Sequence, residues 1–214
     1  AIKGLGQLVA ESFEPEDRRR QHMQILNSEV NRLQNVVSEL VRFARPSALR
    51  LEEADLTECA RASLALYEEE FRKHGIEAAL GAFPEPVMVR ADTEKLRQVV
   101  INLLQNAIEA LDGGGRIFLE TGLEKKAVVA APSFYEAVLR VADSGPGIAP
   151  ALREQVFEPF YSGRQSGSGL GLAIARSIME DHGGSIEIVD SPIGGACFVL
   201  RLPSAHTSTG DTAS

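Results

Sequence analysis

The chain has 214 residues, 44% of them apolar, room for one ordinary domain with a real core plus a smaller element. Its 22 Lys and Arg against 30 Asp and Glu leave a formal net charge of −8. That balance argues against broad binding to nucleic acid or to an acidic membrane, so a bound phosphate would be held by backbone dipoles, a metal and a few basic residues rather than by a basic field.

In chain order, Ile2, Leu5, Leu8 and Val9 suggest the end of a helix, and Phe13-Glu14-Pro15-Glu16 a turn. Met23, Leu26, Val30, Leu33, Val37, Leu40 and Ala44 then recur at spacings of three and four, an a/d seam with largely polar residues between. Residues 17–44 would make a helix about 40 Å long, stopped by Pro46. The pattern predicts a helical hairpin over residues 1–46 with a shortened first arm. Two helices bury little by themselves, so the preferred reading is a homodimer closing a four-helix bundle; an intramolecular two-helix packing is the alternative.

Strands and helices alternate over residues 47–203. Residues 49–52 read as a short strand, 56–74 as one helix ended by Gly75, and 76–83 and 87–90 as strands separated by Pro84 and Pro86. Asp92 is placed to cap a helix that runs to Leu111 and stops at Gly113-Gly114-Gly115. Strands are expected at 117–121 and 137–142 with an irregular loop over 123–134, and a last pair at 186–189 and 197–202. The expected fold class is α+β: a helical hairpin followed by a two-layer α/β sandwich, a mixed sheet with helices on one face. Residues 204–214 read as a disordered polar tail. Cys59 and Cys197 lack metal-ligand spacing and read as reduced thiols of a cytoplasmic protein. No signal peptide is visible, and no run reaches the roughly 18 apolar residues of a membrane span. The first residues look like the middle of something, which leaves a membrane-anchored parent open.

Two features carry chemistry. The helix after Asp92 is apolar but interrupted by Asn102 and Asn106, four apart and on one face. Asn is a poor helix former and costly to bury unpaired, so the pair needs partners: neighbouring backbone, or a hard cation such as Mg²⁺ that an amide oxygen can ligate. Further on, Asp143-Ser144-Gly145-Pro146-Gly147-Ile148 and Gly167-Ser168-Gly169-Leu170-Gly171-Leu172 are two glycine clusters, the first preceded by a carboxylate. Glycine lets backbone approach a phosphate closely. The second cluster runs into an apolar helical pattern, and a helix N-terminus is a natural anion site. A nucleotide gripped between the two turns is the expectation.

These pieces together resemble the ATP-binding domain of sensor histidine kinases, within the wider group that includes gyrase, Hsp90 and MutL. Residues 102–107 are similar to the family's N-box, 143–147 to its first glycine box, Phe157-Glu158-Pro159-Phe160-Tyr161 to its F-box and 167–172 to its second glycine box. His182-Gly183-Gly184-Ser185 and Gly194-Gly195-Ala196-Cys197-Phe198 resemble its closing segments, and Glu29 to Pro46 the second dimerisation helix of nitrogen-sensor-type kinases.

The resemblance implies an ATP and Mg²⁺ site. Asp143 would accept a hydrogen bond from the adenine amino group, with Gly145, Gly147 and Ile148 along the base. Asn106 would ligate Mg²⁺, and Asn102 would support the phosphate side. Gly167, Ser168, Gly169, Leu170 and Gly171 would meet the phosphates. Residues 149–166 would form a lid with Phe157 and Phe160 as its hydrophobic hinge, and Arg164 would reach the γ-phosphate. Glu109 stands where many relatives place a phosphate-facing lysine. The hydrolytic members are expected to carry a glutamate four residues before the metal-binding Asn; Asn102 stands there, which favours transfer to a side chain over hydrolysis. The acceptor histidine is expected upstream of Ala1, so that this chain would not phosphorylate itself. His22 is a weak substitute, and His74 and His182 sit near helix C-termini, where positive charge is favoured. Asn102 and Arg164 are thus the catalytic candidates. The implied partners are a second copy through the hairpin and a cytoplasmic response regulator, with no nucleic acid and no membrane contact by this segment. A non-enzymatic ATP-gated dimerisation module, and an ATPase or serine kinase of the wider group, are the alternatives.

Overall fold

Where a sheet has helices on one side only, its strands must sort their residues by alternation. The computed structural model, which describes residues 9, 13, 14, 17–27, 29, 30, 48–126, 134–161 and 168–205, shows that sorting directly. The chain divides into two units, Ala1–Ser47 and Ala48–Ser214.

In the first unit the described part is helical over 18–27 and 29–30. Asp17 starts the helix: its carboxylate accepts from the Arg19 N–H at 2.8 Å and pairs with the Arg19 guanidinium at 2.7 Å. The Arg19 guanidinium carbon also lies 4.7 Å from the Phe13 ring centre. Of the seam, Met23 and Val30 are half-buried and Leu26 is exposed. The seam from Leu33 to Ala44, and the expected first arm at Ile2, Leu5 and Leu8, lie outside the described residues.

The second unit is built from β1 (Glu52–Asp55), α1 (Leu56–Leu66), α2 (Glu68–His74), β2 (Ile76–Gly81), β3 (Met88–Ala91), α3 (Thr93–Ala110), β4 (Gly115–Lys126), β5 (Phe134–Asp143), two 3₁₀ turns (Pro150–Leu152 and Gln155–Phe157), α4 (Gly171–Asp181), β6 (Ser185–Asp190) and β7 (Ala196–Pro203). Strands β2-β4-β5-β7-β6 form one sheet in that order, parallel between β2 and β4 and antiparallel elsewhere. Strands β1 and β3 form a separate antiparallel pair.

One sheet face meets the helices. Ile117, Leu119, Leu139, Val141, Phe198 and Leu200 share a core with Leu96, Val99, Val100, Leu103 and Leu104 of α3 and with Ile174, Ile178 and Met179 of α4. The other face carries Val138, Ala142, Cys197 and Val199, packed with Ile193. Around them Arg140 pairs with Glu120 and Glu124, and Arg201 with Glu124, Glu136 and Glu187.

That charge ladder explains the first departure from expectation. Residues 123–126 and 134–136 are paired strand, not irregular loop: Gly122 sits opposite Val138, and Glu124 opposite Glu136. Cross-strand ion pairs hold a register that the polar sequence does not advertise. Residues 127–133 lie outside the described part. Secondly, the helix expected over 56–74 is two helices. Tyr67, at φ −107° and ψ 5°, leaves the helical region between them, and neither Gly nor Pro marks the place. Thirdly, the first strand lies at Glu52–Asp55 rather than 49–52, because Asp55 must cap α1 while pairing with β3. Finally, the start of the tail is ordered: Ser204 N–H donates to the Tyr135 carbonyl and Ala205 N–H to the Met88 carbonyl, at 3.2 and 2.9 Å.

Candidate functional site

Strand β5 ends in Asp143, 4% exposed, and two loops converge on it, the one that follows β5 and the one between β6 and β7. Its Oδ1 accepts from the Gly145 N–H at 2.8 Å and from the Ala196 N–H at 3.2 Å. Its carbonyl accepts from the Gly195 N–H at 2.9 Å and from Ser191 Oγ at 2.7 Å. Gly195 is there because nothing larger fits: a Cβ would lie 2.1 Å from Asp143 Oδ1 and 2.5 Å from the Gly145 nitrogen. Gly147 turns the chain with φ +74°, a left-handed conformation that favours glycine, and Ile148 then packs against the core. Sequence reading found Asp143, Gly145 and Gly147 but not Ser191, which reaches Asp143 from another loop.

Helix α3 supplies the amide pair. Asn102 Nδ2 donates to the Gly171 carbonyl at 2.9 Å, which ties α3 to the start of α4. For Asn102 the backbone alternative therefore holds. Asn106, one turn further on, differs: its Nδ2 is buried and has no hydrogen-bond partner among the described residues. The two ends of an amide are assigned from their partners, and an orphaned one inside a protein costs free energy unless a ligand completes it.

The second glycine cluster leads into α4. Ser168 Oγ accepts from the Leu170 N–H at 3.2 Å, and Leu170 is fully buried. The N-cap residue of α4 is Leu170, whose side chain has no acceptor to offer the first-turn N–H groups, an arrangement an anion site would need. Gly169 has φ +69°, and a Cβ there would meet the Phe160 carbonyl carbon at 2.6 Å. In return the Phe160 N–H donates to the Gly169 carbonyl at 2.9 Å. That clasp closes the base of the loop between them. Phe157 and Phe160 do not form one hydrophobic hinge. Phe157 is buried, with the Arg176 guanidinium 4.1 Å from its ring centre. Phe160 is 63% exposed and held at φ +67°, a strained angle for a side chain with a Cβ. Arg164 and Gly167 lie outside the described residues.

His182, at the far end of α4, also departs from expectation. Its Nδ1 faces the Ile178 carbonyl at 2.7 Å and its Nε2 accepts from the Asp92 N–H at 3.0 Å. A carbonyl on one nitrogen and an N–H on the other select the neutral Nδ1–H tautomer, not a cation at a helix end. Burial by itself would raise the Asp92 carboxyl, but N–H donors from Arg50 and Lys95 outweigh it and hold it below the usual carboxylate range. His74 instead meets Glu70 at 3.2 Å on the surface.

The donor set suits a nucleotide with its cation. Among the described residues no group of three His, Cys, Asp or Glu is placed to hold a metal ion. A cation here would take one amide oxygen from Asn106 and its other ligands from phosphate and water, the habit of Mg²⁺.

A family model described as histidine kinase-, DNA gyrase B-, and HSP90-like ATPase matches residues 91–206. The sensor histidine kinase ZraS of Klebsiella oxytoca is 33% identical over 203 residues, 95% of this chain and 42% of that protein. The two-component sensor PprA of Pseudomonas aeruginosa is 35% identical over 182 residues, 84% of this chain and 19% of that protein. The chain thus spans less than half the length of these relatives. Among solved structures, the nucleotide-free catalytic domain of histidine kinase ThkA is similar with a TM-score of 0.61 and 35% identity, covering 72% of this chain and 95% of that one. Full-length ShkA in complex with AMPPNP gives 0.73 and 27% over 97% of this chain and 43% of that one. ThkA in complex with the response regulator TrrA gives 0.71 and 29% over 95% of this chain and 57% of that one.

Proposed function

Because the chain belongs to the histidine kinase-, DNA gyrase B-, and HSP90-like ATPase family, we propose that it is the ATP-binding catalytic core of a two-component sensor histidine kinase. The observation that carries the reading is the pairing of a buried Asp143 carboxylate, clamped by two loops, with an orphaned buried amide nitrogen on Asn106. The first suits an adenine amino group; the second, with the amide flipped so that its oxygen takes the orphaned place, suits a cation.

In this reading Mg·ATP supplies the γ-phosphoryl group, which passes to a histidine on a dimerisation hairpin. Asp143 accepts from the adenine amine, with Gly145, Gly147 and Ile148 lining the base. Asn106 turns its amide oxygen to Mg²⁺. Ser168, Gly169, Leu170 and Gly171 present the start of α4 to the phosphates, with Gly167 and Arg164 completing the set. Asn102 supports the phosphate side by holding Gly171. An amide at that position is no general base for water, so phosphate is kept for transfer rather than hydrolysis. The exposed seam residue Leu26 suits a homodimer through the first unit. A response regulator is the recipient, as the ThkA–TrrA complex suggests by analogy. No described helix is long and apolar enough to cross a membrane.

The test is transfer in trans. The chain is incubated with γ-labelled ATP, Mg²⁺ and a separately expressed dimerisation hairpin bearing a histidine acceptor. Acid-labile label on the hairpin, lost with Asn106→Ala, is expected. ATP binding without transfer would leave a nucleotide-gated dimerisation module, and release of inorganic phosphate instead would mark an ATPase.

A further inference from the structure

Helices α3 and α4 run antiparallel, and two hydrogen bonds tie them at opposite ends of α4. At its start the Asn102 amide holds the Gly171 carbonyl at 2.9 Å. At its end His182 Nε2 accepts from the Asp92 N–H at 3.0 Å. The two ties are about 16 Å apart along a helix of this length.

The second tie fills a specific vacancy. Asp92 is the N-cap of α3, and its side chain is spent on the Lys95 and Arg50 N–H groups. In a capping box, a Glu or Gln three residues into the helix would reach back to the cap's own N–H. Here that position is Lys95, which has no acceptor to offer. His182 supplies the missing acceptor from the other helix, and only because its Nδ1–H is engaged by Ile178, which leaves the Nε2 lone pair facing Asp92.

We propose that His182 is a positioning residue for the nucleotide site: it fixes the register of α4 against α3, and so holds the open N-terminus of α4 beside the Asn102–Asn106 face. This rests on the reading of that site given above. A role confined to finishing α4 would need only the Ile178 bond; a role in register needs the Asp92 bond.

Two amide substitutions separate these bonds. In His182→Gln the amide oxygen reaches the place of Nε2 and keeps the acceptor for Asp92. In His182→Asn the amide reaches only the place of Nδ1 and keeps the Ile178 bond alone. His182→Leu keeps neither. Each variant is titrated with Mg·ATP by calorimetry below its melting range, and amide hydrogen exchange of residues 174–177, the first hydrogen-bonded amides of α4, is followed in the nucleotide-free protein. The Gln variant is expected within about twofold of the parent in both. The Asn and Leu variants should bind about three- to tenfold more weakly, the scale of coupling carried through packed elements, with faster exchange at 174–177. Rescue by Asn but not Gln, or parental affinity and exchange in all folded variants, overturns the proposal. If the Leu variant does not fold, the Gln and Asn pair still decides. If the parent itself binds no nucleotide, the reading of the site fails, and the exchange data alone judge His182: unchanged exchange in the Asn variant refutes it.

Discussion

Gly195→Ala puts the clamp on Asp143 to its severest test. The added methyl would sit 2.1 Å from Asp143 Oδ1, 2.5 Å from the Gly145 nitrogen and 2.6 Å from the Asp143 carbonyl oxygen. Backbone and a clamped carboxylate surround it, so relief requires breaking at least one of the bonds at 2.8, 2.9 and 3.2 Å that hold Asp143. Overpacking a tight site costs about 1–3 kcal/mol. Losing a hydrogen bond to a charged group adds about 1.5–3 kcal/mol. A destabilisation of roughly 3–5 kcal/mol follows, large against the 5–15 kcal/mol of an ordinary domain. Gly171→Ala is the control: its methyl would meet nothing nearer than the Asn102 side chain at 3.9 Å, and removing a helical glycine stabilises by up to about 1 kcal/mol. Urea unfolding of both variants measures the difference, and nucleotide titration reads the pocket. A Gly195→Ala protein with parental midpoint and parental ATP affinity would refute the clamp.

Three other outcomes are expected. Asn106→Leu removes an orphaned buried amide nitrogen, so it should unfold at higher urea, by about 1 kcal/mol, while losing Mg²⁺-dependent ATP affinity; equal loss of both would argue that Asn106 is merely structural. Asp92 has its carboxyl held below the ordinary value in the folded state, so its contribution is full above the unfolded pKa of about 4 and is lost as pH falls through the lower folded value; the urea midpoint of Asp92→Asn should therefore fall less than the parent's between pH 5 and the acid limit. Burial pushes the Cys59 thiol up to about 11 and the Cys197 thiol upward as well, so neither should react with a disulfide reagent near pH 8 until denaturant is added, and rapid labelling of the native protein would contradict their burial.

What the sequence makes legible here is what is local and repeated. Glycines beside a carboxylate, an apolar stripe on α3, and Asp92 before a helix all act through near neighbours, and the elements they announce are the ones the structure builds. Tyr67 shows the limit: it breaks a helix through its own dihedrals, with no residue type to announce it. The extension of β4 and β5 depends on Arg140 reaching Glu124 and on Arg201 reaching Glu124 and Glu136, partners that lie far apart in sequence. The same holds for Ser191 on Asp143, at a separation of 48 residues, and for His182 on Asp92, at 90. A helix-end histidine suggests a cation; its neutral, accepting state is set by two backbone groups that only the fold brings together.

Calorimetric titration of Mg·ATP into the parent chain and into Asp143→Ala tests the central claim most directly. The account predicts saturable one-to-one binding to the parent and at least a tenfold loss in the folded variant. A folded parent that takes up no ATP, or a variant that binds it as well as the parent, would contradict it.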